Sequence, residues 1–287
     1  MSESKKKNVL LNNPVVNVFR SNIGIVMVLI IMCVIISFAT DKFLTPTNII
    51  SVLRQISINT YIALGMTLVI ILGHIDLSVG AIVAMSGTLT VGFIVNQGLP
   101  IWLAIVLGIV LGAVTGLLSG FIVSQFKVPA FIITMAMMNV ANGIAYVYSG
   151  GQSTRITDAF FINIGTGYLF KVIPLPVVYM VVLIAIFAFL LNKTKFGTYI
   201  YAIGGNREAA RLSGVPIKKV EIVVFTLSGL LSAFGAIVIG IISNGLNLIG
   251  VSSYWQLIIK GLIIACAVLL DVQKGKLGKL KKKKVEK

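Results

Sequence analysis

Residues 101–123 read IWLAIVLGIVLGAVTGLLSGFIV, a stretch with no charged side chain, interrupted only by Thr115 and Ser119 among its apolar and glycine positions. The hydrocarbon core of a bilayer, about 30 Å thick, needs about 20 such residues per helix. Outward from this stretch, further apolar runs of crossing length fall near 23–39, 57–73, 77–96, 130–148, 172–191, 220–243 and 256–270. Residues 44–60 read as a polar lead-in rather than a span of their own. The whole chain agrees with this reading: 57% of its 287 residues are hydrophobic and 11% charged, with a mean hydropathy of +1.03. A soluble domain carries about a quarter charged residues, because water must meet them. Backbone groups in hydrocarbon have to be satisfied within their own segment, so the crossings are helices. The expected fold is therefore all-α, a polytopic helical membrane protein of about eight spans. Residues 1–22 form a lead-in, 23–272 the transmembrane domain and 273–287 a basic tail.

The net charge of +16 invites a nucleic-acid reading, but its placement argues against one. With the N-terminus and its Lys5, Lys6, Lys7 and Arg20 in the cytoplasm, the loop at Lys127, the loop 192–219 and the tail from Lys274 to Lys287 also fall inside. About 19 of the 24 basic residues then lie inside, and Lys42, Arg54, Arg155 and Lys171 outside. This is the positive-inside asymmetry of membrane helices, and both termini are expected in the cytoplasm. The tail is expected to lie near anionic lipid. Segment 8–20 either lies along the membrane surface or is a disordered lead-in. About twenty polar residues precede the first apolar run, which has no small-x-small site and so does not read as a cleavable signal. Cys33 and Cys266 sit in mid-span as packing residues, and the outside loop 149–171, with Phe160, Phe161 and Tyr168, suits the headgroup region.

Four patterns carry candidate function. Gly108, Gly112, Gly116 and Gly120 recur at four-residue spacing, which lets a second helix approach backbone to backbone, with a partner in this chain favoured over one in another copy. Between two apolar runs lies Gly73-His74-Ile75-Asp76-Leu77-Ser78-Val79-Gly80. An ionisable group at membrane depth usually faces a cavity or the bundle interior, and a broken helix there can hold substrate. On that reading His74, Asp76 and Ser78 belong to a substrate pathway. On the other, Asp76 simply caps a helix starting at Leu77 close to the cytoplasmic surface, and His74 is an interfacial residue. A lone histidine builds no metal site. Asn139 and Asn142, three residues apart, share a face of span 130–148 and bond either to a neighbouring helix or into a water-filled path.

The fourth pattern is the inside loop. Gly205-Asn206-Arg207-Glu208-Ala209-Ala210-Arg211-Leu212-Ser213-Gly214 reads as a two-turn helix capped by Asn206, with Glu208 in its first turn and Gly214 ending it before Pro216. A helix that short needs a surface to pack on. The surface is either the chain's own spans or a groove on a cytoplasmic partner, and the careful capping favours the partner.

These residues carry a resemblance. Gly65-Met66-Thr67, Ile75-Asp76-Leu77-Ser78-Val79-Gly80, Gly150-Gly151, the run from Tyr201 to Gly214, and Ser243-Asn244-Gly245-Leu246-Asn247-Leu248 are similar to the permease subunits of bacterial ribose-type ABC importers. The similarity runs from about residue 20 to residue 271. It implies a multi-pass protein of the bacterial cytoplasmic membrane that carries ribose or a related monosaccharide. The implied partners are a second permease subunit in a homodimer, a cytoplasmic ATPase and an extracytoplasmic sugar-binding protein. It also implies that the loop helix, Gly205 to Leu212 with Gly214, contacts the ATPase. The chain departs from the family at His74, where glycine is usual, and at Asn142, where arginine is usual. Ser228-Gly229-Leu230-Leu231-Ser232-Ala233 runs through residues 236–240 straight into Ile241-Ile242-Ser243-Asn244, where the family has about 45 more residues, enough for two spans. Span 220–243 is then a fusion of halves of two helices.

The expectation is a permease subunit of an ATP-driven monosaccharide importer. The chain has no glycine–lysine phosphate loop, so ATP is expected on the partner, with no cofactor here. Two rivals remain: an internally deleted, non-transporting remnant, and an ATP-independent secondary transporter. The second would need buried ionisable groups, for which His74, Asp76 and Lys260 are the candidates. A membrane enzyme finds no cluster of acids and histidines to work with.

Overall fold

The structure, a computed structural model, describes residues 40–246 apart from 153 and 155, together with scattered positions between 27 and 38; side chains of 239–246 are not described. The expected span 256–270, Lys260, Cys266, segment 8–20 and the tail 273–287 lie outside the described residues. Within span 23–39 the described positions are helical, and Cys33 is a free thiol there.

The helices in chain order are α1 (Pro46–Ile71), α2 (Val79–Val95), α3 (Ile101–Phe126), α4 (Ala130–Ser149), α5 (Ala159–Thr166), α6 (Leu175–Lys193), α7 (Lys195–Gly205), α8 (Arg207–Leu212) and α9 (Ile217–Leu246). Two-residue strands, β1 (Tyr168–Leu169) and β2 (Ile173–Pro174), form a hairpin between α5 and α6. Among the described residues, α1, α3, α4, α6 and α9 are long and apolar enough to cross a membrane, and α2 is a shorter apolar helix. The all-α polytopic class holds.

Two expectations are corrected. Residues 44–60 are not a lead-in: helix α1 starts at Pro46 and runs unbroken for 26 residues. Proline suits a first helical position, where its missing N–H is no loss. Two of the polar residues that suggested a lead-in are satisfied within the helix. Ser57 Oγ donates to the Leu53 carbonyl at 2.7 Å and Thr60 Oγ1 to that of Ile56 at 2.8 Å, so they cost little at membrane depth. The loop 149–171 also holds more structure than interfacial aromatics alone suggest. Asp158 accepts from the Phe160 and Phe161 amides and caps α5, Phe161 is buried, and Phe160 and Tyr168 are exposed. Arg54 on α1 donates to the Thr166 carbonyl at 2.6 Å and lies 5.0 Å over the Tyr168 ring, tying this segment down.

Helix α9 is the axis of the fold: two-thirds of its apolar window is buried, against a third or less for the other spans. It packs along α3 and α2. The glycine stripe explains how. A Cβ on Gly116 would collide with the Phe225 carbonyl, one on Gly112 would lie 2.6 Å from the Gly229 carbonyl, and one on Gly120 would lie 2.8 Å from Phe225 Cβ. Gly108 faces Thr90 and Ser86 of α2 instead. The two helices therefore meet backbone to backbone within the chain, as small residues allow in the absence of a hydrophobic driving force. Val106, Val110, Val114 and Phe121 on the opposite side of α3 stay exposed. Helix α9 runs without interruption through residues 236–240.

Candidate functional site

At one end of the bundle the chain breaks between α1 and α2. The Gly73 amide donates to the Ile70 carbonyl, the His74 amide to that of Val69, and Gly73 sits at φ +82. This paired closure of a helix end needs a left-handed residue, which glycine supplies. His74 is thereby fixed as the first residue beyond the turn.

The residues that follow are clamped by two helices. Asp76 is 1% exposed. Its Oδ1 accepts from the Ser78 amide at 2.9 Å and from Ser78 Oγ at 2.6 Å, and its Oδ2 accepts from Ser228 Oγ of α9 at 3.1 Å. The Leu77 amide donates to Thr134 Oγ1 of α4 at 3.1 Å. This corrects the capping reading: the helix starts at Val79, Ser78 occupies the N-cap position, and Asp76 acts through Ser78 from inside the bundle. The buried carboxyl is thus hydrogen-bonded at both oxygens, as buried polar groups are.

His74 belongs to a second cluster. Its Nε2 lies 2.9 Å from Glu221 Oε1, and the Arg207 guanidinium pairs with the same oxygen. The Glu221 side chain is 0% exposed, against 20% for His74 and 48% for Arg207. The His74 ring also packs 5.9 Å from that of Phe225. The sequence reading gave Glu221 no role and omitted it from the ionisable groups in spans. The missed signal was an acid one turn into an apolar helix, 14 residues after an arginine.

Helix α8 is built as its sequence dictates. Asn206 Oδ1 accepts from the Ala209 amide at 2.9 Å, the Val215 amide donates to the Ala210 carbonyl, and Gly214 adopts φ +79. Ala210 is buried while Leu212 is 76% exposed. Glu208 accepts from Arg211 Nε at 3.0 Å on the exposed face; that hydrogen bond holds the Glu208 carboxyl below its ordinary range. Gly204 just before it abuts the Ile71 carbonyl, so no side chain fits there, whereas Gly205 stands in open space. A cavity of about 990 Å³ opens beside α8, lined among others by His74, Lys127, Arg207, Arg211, Lys218 and Glu221.

The structure thus joins His74, Asp76 and Ser78 to α9, and α8 to the same helix. It does not bring in Asn139 and Asn142: Asn139 is exposed on α4, Asn142 half-buried, and neither hydrogen-bonds to the break. Among the described residues no group of three or more acids, histidines or cysteines could hold a metal.

The α1–α2 break thus lies at one end of a bundle of apolar helices, with its polar groups tied to α4 and α9. The family model described as branched-chain amino acid transport system / permease component matches residues 48–263, and the chain belongs to this family. The chain is 40% identical to the ribose import permease protein of Bacillus subtilis, over 86% of this chain and 91% of that one. It is 31% identical to the L-arabinose transport system permease protein of Escherichia coli K12, over 88% and 91%. It is 30% identical to the L-arabinose ABC transporter permease protein of Azospirillum brasilense, over 86% of each. No solved structure matches it. The alignment with the B. subtilis protein runs over 296 positions, while 86% of 287 residues is about 247. About 49 positions of that alignment therefore have no residue in this chain, in line with the internal shortfall expected from its motifs.

Proposed function

We propose that the chain is the permease subunit of an ATP-driven importer of ribose or a related monosaccharide in the bacterial cytoplasmic membrane. It works as a homodimer with a cytoplasmic ATPase and an extracytoplasmic sugar-binding protein, hydrolyses nothing itself and binds no cofactor. The observation that carries this reading is the 40% identity to a ribose import permease over nearly all of both chains. The positive-inside placement of Lys127, Arg207, Arg211, Lys218 and Lys219 supports a cytoplasmic position for the cavity and α8. A six-residue helix capped at both ends, with Leu212 bare at its tip, supports docking on the ATPase.

The test is uptake of labelled ribose by cells lacking their own permease but supplied with the ATPase and binding protein. Uptake above the empty-vector level, abolished without the ATPase, is the expected result. Uptake that persists without the ATPase would replace this reading with the secondary transporter. A second reading, the non-transporting remnant, is favoured by the 49 or so alignment positions without a counterpart. It is separated by restoring a relative's segment at residues 236–240: uptake only after restoration would establish the remnant.

A further inference from the structure

We propose that Glu221 is the positioning residue that transmits movement of α8 to the α1–α2 break, through Arg207 on one side and His74 on the other. This rests on the docking role of α8 proposed above and names the linkage behind it. Three elements meet at one carboxylate oxygen, two of them consecutive and one remote in sequence: Arg207 opens α8, Glu221 belongs to α9, and His74, 147 residues from Glu221, closes the end of α1. Losing either partner leaves a fully buried carboxylate with a single remaining contact, which is costly, so the three move as a set or the node rearranges. A rearrangement is available. Both partners use Oε1, and Oε2 is buried with no hydrogen-bond partner among the described residues. A guanidinium can engage both oxygens of a carboxylate in parallel, so a small swing of Arg207 would convert the single contact into a two-pronged one. A node with two discrete arrangements, reachable from either side, is the physical requirement for coupling.

The linkage continues along α9. Phe225, one turn beyond Glu221, packs on the His74 ring, and Ser228, a turn further, donates to Asp76. A displacement of α8 that pulls on Glu221 is therefore felt at the imidazole and at the buried carboxylate of the break. A steric route also exists, since Gly204 presses on the Ile71 carbonyl, and the experiment has to separate the two.

The test uses the full chain with its ATPase in nanodiscs. Cys33 and Cys266 are replaced by alanine and Ile75→Cys is introduced; Ile75 is 55% exposed beside the break. The rate at which a maleimide labels the introduced thiol is read with and without ATP. Coupling between sites of about 1–3 kcal/mol corresponds to about 5- to 150-fold. An ATP-driven change of at least fivefold is expected for the parent. In Glu221→Gln, and in the surface variant Arg207→Gln, the change is expected to vanish while the ATPase still copurifies. The charge swap, Arg207→Glu with Glu221→Arg, is expected to restore it. A purely structural role would alter stability but not the response to ATP at equal ATPase occupancy.

If Glu221→Gln and Arg207→Gln respond to ATP as the parent does, the steric route carries the motion and the proposal falls, with the docking reading intact. Failure of the swap to restore the response also overturns it. If the parent itself does not copurify with the ATPase, the docking reading falls and takes this linkage with it.

Discussion

Replacing Gly116 and Gly143 with alanine, one at a time, tests the helix packing on which the site depends. Alanine is favoured over glycine inside a helix by about 0.8–1 kcal/mol. Gly143 on α4 faces open space, so Gly143→Ala is expected to gain that amount and nothing more. At Gly116 the new methyl would collide with the Phe225 carbonyl and lie 3.0 Å from its carbonyl carbon and 3.2 Å from the Gly229 amide nitrogen. These are backbone atoms of α9 and cannot rotate aside. Overpacking of this kind costs about 1–3 kcal/mol. Because both variants share the gain in propensity, their difference isolates the collision, and Gly116→Ala should be less stable than Gly143→Ala by about 1–3 kcal/mol. The assay is reversible unfolding of the purified chain in mixed micelles, followed by helical circular dichroism. Equal shifts for the two variants would show that α3 and α9 do not meet through Gly116.

Asp76→Ala is expected to destabilise by about 2–4 kcal/mol, because Ser78 and Ser228 lose a buried charged acceptor; Asp76→Asn should recover part of it, and unfolding midpoints decide. Glu208→Arg should release the ATPase while leaving membrane insertion intact, since the substitution places a third cation on the exposed face of α8; undiminished copurification with normal turnover would remove the docking role. Arg54→Ala should make residues 150–174 more sensitive to added protease in the detergent-solubilised chain, by loss of the Thr166 bond and the Tyr168 stacking, each about 1 kcal/mol. Unchanged cleavage would mean that α5 and the hairpin hold without Arg54.

Much of the fold was legible in the sequence because lipid imposes one dominant rule. Stretches such as 101–123 and 130–148 appear as α3 and α4 within a few residues, since an uncharged run of that length has one stable structure in hydrocarbon. The start of α1 was misread because serine and threonine lower hydropathy while bonding back to their own helix, a compensation that residue counting does not register. Helix α8 was legible down to its caps, because Asn206 and Gly214 act on neighbours four or fewer residues away. Glu221 was not, since its partners lie 14 and 147 residues distant, and the one local mark, an acid a turn into an apolar helix, names neither of them. Asp76 stood out as a charge between apolar runs, but its long-range partner, Ser228, is 152 residues on.

The contacts of α9 with the break have a further consequence. Glu221 and Ser228 are seven residues apart on one face, so about 10 Å of rigid rod separates the bonds to His74 and Asp76. A slide of the rod along its axis therefore strains both bonds together. A slip of about two residues' rise, ~3 Å along the axis, would carry both beyond hydrogen-bonding reach in one stroke. The two grips on the break are therefore mechanically in series with one helix, and an axial slide releases both or neither.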